Sequence, residues 1–538
     1  MSFSINSPLR RLLALTAAFA LAATVVVAQT VPQSAGEARA AHALEAAKKR
    51  GAPELYAFLK PFPKGADLHM HLSGAIYAET FLDEAAQQGI CVDLNALAFA
   101  ELAKNSKCPD GQMAAADLVH KGDDPTQHVY DKFVAAFSMK NFVPFASWSG
   151  HDQFFATFDH FGGLDKKWQG AWIDEVATRA ATQNEQYLEI MQTPSFSHVF
   201  SAIAKAPWPS DFNDANHLAV LAKYRDQLLA NGLADDVAID TEEFAHAQAS
   251  RNELEHCGVT PDSVQLKAPN ACSVHVHFLY QVLRGFPPAQ VFGQTLLGFE
   301  LASHDPDVVG INFVRAEDWR GPMAEYHTEM LMLDYLHSVY PAVHISLHAG
   351  ELAPGMVPPD GLTFHIREAI DLGHAERIGH GVDLLSEDRP QDLLKQMASK
   401  HIDVEINLVS NEGILGITGT RHPLAAYRAA HVPFSLSTDD EGVSRTDLTH
   451  NYVQAVLDQN LTYADLKLSA RDSLEHSFLH GESLYTNPDD YTHRKSACAA
   501  PIKAAFTATC KAFLLANEKA AQQYELELRF NAFEAAQP

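Results

Sequence analysis

The stretch Val343-His344-Ile345-Ser346-Leu347-His348-Ala349-Gly350-Glu351 alternates apolar and polar side chains up to His348, then turns through a glycine onto a carboxylate. Such alternation reads as a strand. A glycine directly after it permits the tight turn that can bring an imidazole and an acid to the same place. Working outward, the pattern of an apolar run closed by a polar motif recurs at Gly379-His380-Gly381, Ser410-Asn411 and Asp439-Asp440, and near the N-terminus at His69-Met70-His71. Strand candidates fall at 66–72, 187–192, 273–279, 308–314, 343–348, 377–380, 403–408 and 434–437, with helix-like segments between them. Eight strands alternating with helices predict an α/β chain of the (β/α)8 TIM-barrel type. A doubly wound open sheet competes, but no glycine-rich phosphate loop follows the first candidate. The motifs also lie at the C-terminal ends of the first, fifth, sixth, seventh and eighth candidates, which a barrel gathers at one mouth and an open sheet spreads along an edge.

The remaining sequence is apportioned around that frame. Residues 1–28 hold Arg10 and Arg11, an apolar run from Leu12 to Val27, and Ala28 before Gln29, the pattern of a cleavable export signal. The run is too short to span a bilayer, so no membrane anchoring is expected after cleavage. Segment 29–60 reads as N-terminal helix, 61–482 as the barrel with helical insertions after strands 1 and 2, and 483–538 as a helical tail with a structural role. The first insertion contains an aromatic-rich stretch, 133–161, suited to capping the mouth, although core packing is the favoured reading for Phe133, Phe137 and Trp148.

With 67 acidic against 40 basic residues the formal charge is -27, and loss of the two signal arginines takes it to -29. That charge repels nucleic acid and anionic membrane surfaces and argues against a polyanionic substrate unless a local basic pocket exists. Six cysteines, Cys91, Cys108, Cys257, Cys272, Cys498 and Cys510, contain no Cys-x-x-Cys pair. Their even number in an exported chain predicts at least two local disulfides of open connectivity, rather than a zinc ribbon. The expected location is periplasmic or secreted.

The chemistry follows from the motifs. His69 and His71, two apart on a strand, leave the same face and can reach one ion. His348 supplies a third imidazole and Glu351 an acid. Asp439 and Asp440 are adjacent carboxylates, which repel in a partly buried mouth unless a cation or a proton separates them. His380 lies between two glycines that let its ring approach the centre. The pair His275 and His277 repeats the His-x-His spacing but has no carboxylate motif after it, and is set aside. Taken together, the motifs read as one metal-dependent hydrolytic site.

In order and spacing these residues resemble the adenosine deaminase family: Asp67-Leu68-His69-Met70-His71-Leu72 with Gly74-Ala75, His348 to Glu351, Arg377 to Gly381, Ser410-Asn411, and Ser437 to Asp440. The resemblance runs from about residue 61 to 479. Export, length and cysteines are similar to the secreted adenosine-deaminase-like growth factor branch, and a bacterial periplasmic enzyme fits the short signal equally well. The resemblance implies one Zn2+ per chain held by His69, His71, His348 and Asp439, with a position left for water. It implies that His380 orients or deprotonates that water, that protonated Glu351 donates to purine N1, and that Asp440 contacts N7 and the attacking oxygen. Ser73, Gly350, Arg315 and Asp440 fall at substrate-binding positions. The implied reaction is hydrolytic deamination of adenosine or 2′-deoxyadenosine to inosine or 2′-deoxyinosine and ammonia, for extracytoplasmic nucleoside scavenging.

Relatives of this barrel that hold two ions use a lysine on the fourth strand. Residues 308–314 contain none, which favours a single ion. Two positions depart from the family pattern. Ser73 stands where an aspartate usually meets the ribose 5′-hydroxyl, and Arg315 replaces a glycine whose backbone N–H meets N3, so its long side chain must turn away to spare the base. Arg315 is also the feature that favours an anionic substituent, which keeps a nucleotide or another 6-substituted purine as the alternative, alongside a non-catalytic nucleoside-binding protein. The cytidine-deaminase class requires Pro-Cys-x-x-Cys, which the chain lacks.

Overall fold

The computed structural model describes residues 34–102, 107–120, 122–257 and 270–538. The export segment predicted for 1–28 lies outside them. Eight parallel strands form the central sheet: β1 (Gly65–His71), β2 (Glu185–Gln192), β3 (His275–Leu283), β4 (Val308–Val314), β5 (His344–Ala349), β6 (Arg377–His380), β7 (Asp403–Ile406) and β8 (Phe434–Leu436). Each pairs with the next in sequence. Closure comes from just past β8: Asp439 N–H donates to His69 O at 2.8 Å, and His71 N–H donates to Asp439 O at 3.2 Å. A parallel bridge between Met70 and Asp439 completes the circle. The predicted α/β barrel is therefore observed, and a candidate ligand forms its last joint.

All seven residues of β1 and of β4 are buried. Strands covered on both faces carry near-continuous apolar runs, so the polar residues among them stand out. β3 begins later and runs further than 273–279, because Gln281 does not end it. Its polar side chain faces a partner inside the barrel. His275 and His277 thus lie at the start of β3, opposite the mouth, beside Glu518. The seventh candidate was drawn too long. Its strand ends at Ile406 and a helix, Leu408–Leu415, takes up Ser410 and Asn411.

The insertion after β1 is not purely helical. Strands Ile90–Asp93, Ala98–Leu102 and Gln112–Ala114 form a small antiparallel sheet there, alongside its helices. Within this insertion the helix Gly150–Thr157 starts with a capping box between Ser149 and Asp152, the reciprocal arrangement that satisfies orphan N–H groups. It reaches over the mouth. Its first residue lies against the Gly413 carbonyl, leaving no space for a Cβ, and His151 Nε2 pairs with Asp318 at 2.9 Å. Phe133 and Phe137 are buried in the core, while Trp148 is partly exposed. The insertion after β2 consists of helices Ser197–Lys205, His217–Ala230 and Asp235–Leu254.

The tail is not purely helical: it holds a hairpin, Tyr485–Asn487 with Asp490–Arg494, and two helices, Ala508–Ala516 and Glu518–Ala536. Phe530 and Phe533 of the last helix close on Phe62, with ring centroids 5.6 Å away in both cases, sealing the floor of the barrel. Three disulfides, Cys91–Cys108, Cys257–Cys272 and Cys498–Cys510, join sequence neighbours. Among the described residues no helix is long and apolar enough to cross a membrane.

Candidate metal centre and purine pocket

Strand ends bring four side chains together at the mouth. Ligand-type atoms of His69, His71, His348 and Asp439 all lie within 4.8 Å of one another. His348 Nε2 is 3.0 Å from His69 Nε2 and 3.3 Å from His71 Nε2, and Asp439 Oδ1 is 3.2 Å from His71 Nε2. Every other polar atom of the four is engaged. His69 Nδ1 donates to Glu405 Oε2 at 2.6 Å, His71 Nδ1 to Gln281 Oε1 at 2.7 Å, and His348 Nδ1 to Asn312 Oδ1 at 2.7 Å. Ser410 Oγ donates to Asp439 Oδ2 at 2.6 Å.

Those outer bonds decide what the inner nitrogens are. A neutral imidazole has one N–H, which at each of these rings would sit on Nδ1. Neutral rings would then turn three bare Nε2 lone pairs toward one another at contact distance, an arrangement that repels unless a metal cation or a proton sits between them. Burial, with the neighbouring His69 and His380, pushes His348 well below the usual histidine range, whereas His71, against the effect of burial, is raised to about 9 by Asp440, Asp439 and its Gln281 contact, so without an ion a proton on His71 meets Asp439. Burial would raise Asp439, yet the His71 hydrogen bond and the nearby histidines hold its carboxyl well below the usual range. Three imidazoles and one carboxylate suit zinc, which would take the place of that proton, and outer partners that fix each ring are the usual companions of such ligands.

Beside this cluster stand two acids of opposite character to Asp439. Burial, then the charges of Asp439 and Glu317, raise Glu351 well above the carboxylate range. Asp440 is raised well above it by burial and by Asp439. Neighbouring carboxyls whose pKa values are driven apart can divide acid and anionic roles between them. Asp440 is buried with Oδ1 free of partners, and a Cβ on Gly74 would collide with that oxygen, so only glycine fits there. Burial, then His69, pushes His380 down to about 3, and its ring centroid is 4.8 Å from that of His69.

The backbone is strained where these groups converge. Arg315, His380 and Asp439 have φ of 98°, 69° and 66°, and non-glycine residues in that region cost roughly 1–3 kcal/mol each, usually at functional sites. Arg315 is held there by Arg284, whose Nε and Nη2 donate to its carbonyl at 3.1 and 3.0 Å. Its side chain is exposed, with the guanidinium 5.8 Å from the Trp319 ring centroid. Ser73 is half-buried on the turn after β1. Neither residue joins the four-residue cluster.

Sequence reasoning missed the groups that orient these. Arg284 Nη1 also donates to His348 O at 3.1 Å. Glu317 accepts from the N–H of Gly350 at 3.2 Å and of Glu351 at 2.8 Å. Arg377 spans Glu189 and Glu405, 2.6 Å from each, and with His69 it holds Glu405 down to about 2 although burial opposes this. The available signal was a polar residue inside an apolar parallel strand, as at Glu189, Gln281, Asn312 and Glu405.

Fold and site together define an α/β barrel with a histidine-rich candidate metal centre at its C-terminal mouth. The family model described as adenosine deaminase matches residues 219–484, so this stretch of the chain is similar to the adenosine deaminase family. That stretch covers β3 to β8, and the barrel returns His69 and His71 of β1 to it. An adenosine deaminase of Escherichia coli O157:H7 (strain EC4115 / EHEC) is 36% identical over 140 residues, 26% of this chain. The match spans only 39% of that relative's length. An amidohydrolase from Burkholderia ambifaria, solved with bound Zn, shares the fold at 13% identity and a TM-score of 0.51, covering 89% of this chain and 95% of its own. The Arabidopsis N6-mAMP deaminase is 22% identical with a TM-score of 0.47, covering 78% of this chain and 95% of its own.

Proposed function

We propose that the chain is an exported, zinc-dependent aminohydrolase that converts adenosine or 2′-deoxyadenosine to the inosine product and ammonia. The observation that carries this reading is the convergence of three imidazole Nε2 atoms and an anionic Asp439 beside two carboxyls raised well above the usual range. His69, His71, His348 and Asp439 would hold one Zn2+, which supplies the Lewis acidity that makes water nucleophilic near neutral pH.

Purine N1 and N7 are acceptors only, so a side chain that meets either must bring a proton. Glu351, kept neutral by burial, brings one to N1 and gives it up as C6 is attacked, because the electrons displaced from the C6–N1 bond need somewhere to go. Asp440, also neutral, donates a hydrogen bond to N7. Arg315 offers its N–H to N3 from a glycine-like backbone, and Ser73 is placed for the ribose. Both hydrogens of the consumed water end in the products, one on N1 and one on the departing ammonia, so Glu351 must recover its proton each turn. The helix Gly150–Thr157 shields the mouth.

One observation favours a second substrate class. The exposed Arg315 guanidinium beside Trp319 is a cation at the rim of an acidic protein, suited to a substrate phosphate or carboxylate. Three disulfides and the export-type N-terminus support work outside the cytoplasm.

The test is the ultraviolet change of zinc-loaded protein with adenosine, 2′-deoxyadenosine, adenine and AMP in parallel. Turnover of the nucleosides is expected. Turnover of AMP in preference would move the reading to the second class, and no change with any of the four would sink it.

A further inference from the structure

We propose that Asn411 and His422 are positioning residues that fix the tautomer of His380, keeping its ring proton on Nε2 and leaving Nδ1 bare. The consequence for turnover rests on the deaminase reading above; the tautomer itself does not.

The relay starts at a group that can only donate. Leu424 N–H meets His422 Nδ1 at 3.2 Å, so Nδ1 is an acceptor and a neutral His422 must carry its proton on Nε2. His422 is buried, and burial keeps it neutral, down to about 4. Its Nε2 lies 3.1 Å from Asn411 Oδ1. That contact settles which way the Asn411 amide faces, an assignment otherwise open to a flip. Asn411 Nδ2 therefore donates to His380 Nδ1 at 2.9 Å. Asn407 Nδ2 approaches the same nitrogen at 3.5 Å. With Nδ1 accepting, the proton of His380 resides on Nε2. That atom is buried without a hydrogen-bond partner, while Nδ1 also lies 3.7 Å from Glu351 Oε1.

The sequence left open whether His380 orients or deprotonates the water. A neutral ring that carries its proton on Nε2 has no lone pair on that atom, so through it the ring can hold the attacking oxygen only by donating to it. Asn411, on the first turns of the helix after β7, thereby acquires a purpose that its place beside Ser410 did not reveal.

The experiment uses zinc-loaded full chain with 15N-labelled histidine, and assigns the His380 signals by difference from His380→Gln. The wild-type spectrum should show Nε2 protonated and Nδ1 bare; the reverse overturns the proposal. In Asn411→Asp the new carboxylate can only accept, so the proton should move to Nδ1. Because that charge also favours the imidazolium, spectra are taken across a pH series. A wrongly fixed tautomer is expected to lower kcat on the order of 100-fold or more, with KM little changed. His422→Gln keeps an N–H donor for Asn411 Oδ1 and should stay near wild type, whereas His422→Leu frees the amide and should lose activity. Equal losses in the two His422 variants, with the His380 spectrum unchanged, mean packing alone and overturn the proposal. Should Asn411→Asp fail to fold, the His422 pair decides. Should wild type turn over no purine, the deaminase reading falls and the spectra still decide the tautomer.

Discussion

At the scale of single residues, the site is legible where chemistry demands a residue type and illegible where it demands a conformation. His69, His71, His348 and Asp439 could be chosen because imidazole and carboxylate at strand ends have few other reasons to assemble. Nothing in the letters says that Arg315 adopts φ of 98° with its side chain exposed beside Trp319. Arg315→Gly is therefore expected to leave adenosine kcat/KM within a few-fold of wild type and to raise stability by about 1 kcal/mol, the strain relieved. Thermal melts and steady-state kinetics read the two effects, and a large gain in adenosine turnover would show that the side chain does crowd the base. Glu351 carries the sharper prediction. Glu351→Gln should lose about 10²–10⁴-fold in kcat, the range of general acid catalysis, with zinc still bound. Because burial and the charges of Asp439 and Glu317 raise its carboxyl, the acid is neutral at neutral pH and ionises only as pH climbs through that raised value. Activity should fall on the alkaline side for this reason, and a profile flat to pH 10 would remove Glu351 as proton donor.

Among the elements, strands and their order could be read because parallel strands covered on both faces are apolar runs of limited length. The errors occurred where a polar residue served the interior. Gln281 sits within β3 and its Oε1 accepts from His71, so the apolar run looked finished at 279 when the strand went on to Leu283. The glycine of the turn after β5 is legible in the sequence, but what aims the turn lies on other elements. Glu317, just beyond β4, accepts from the N–H groups of Gly350 and Glu351, while Arg284, just beyond β3, grips His348 O and Arg315 O. Three strand ends are thus tied by two side chains that are spaced too far apart in sequence to form a motif. Glu317→Gln keeps the volume and replaces one acceptor with a donor facing an N–H, which should let the turn shift. Misplacement of about 1 Å is worth on the order of 100-fold, so kcat should fall by roughly 10- to 100-fold with zinc content unchanged. In a Glu351→Gln background the same substitution should cost little more, and full additivity would show that Glu317 acts elsewhere.

For the whole molecule, what matters is which constraints cross the barrel. The strand ladder does, and so does the chain Glu189–Arg377–Glu405–His69 through its interior. The disulfides do not: they close segments of 17, 15 and 12 residues, in the two insertions and the tail. Three small crosslinks on the periphery restrain the unfolded chain and leave the mouth alone. A loop near 15 residues is worth about 3 kcal/mol in the chain-entropy account. A metal ion, by contrast, would bind between β1, β5 and the end of β8 and would stabilise the closed barrel by its binding free energy, about 4 kcal/mol when free zinc is 1,000-fold above its Kd. Reductant and chelator should therefore separate stability from activity. Reduced protein should melt earlier yet deaminate at nearly the wild-type rate at 25 °C. Chelated protein should melt earlier and lose turnover, and zinc should restore both. Loss of activity on reduction at a temperature well below the melt would show that the peripheral loops reach the site, and unaltered melting after complete zinc removal would show that β1, β5 and β8 hold their places without the ion.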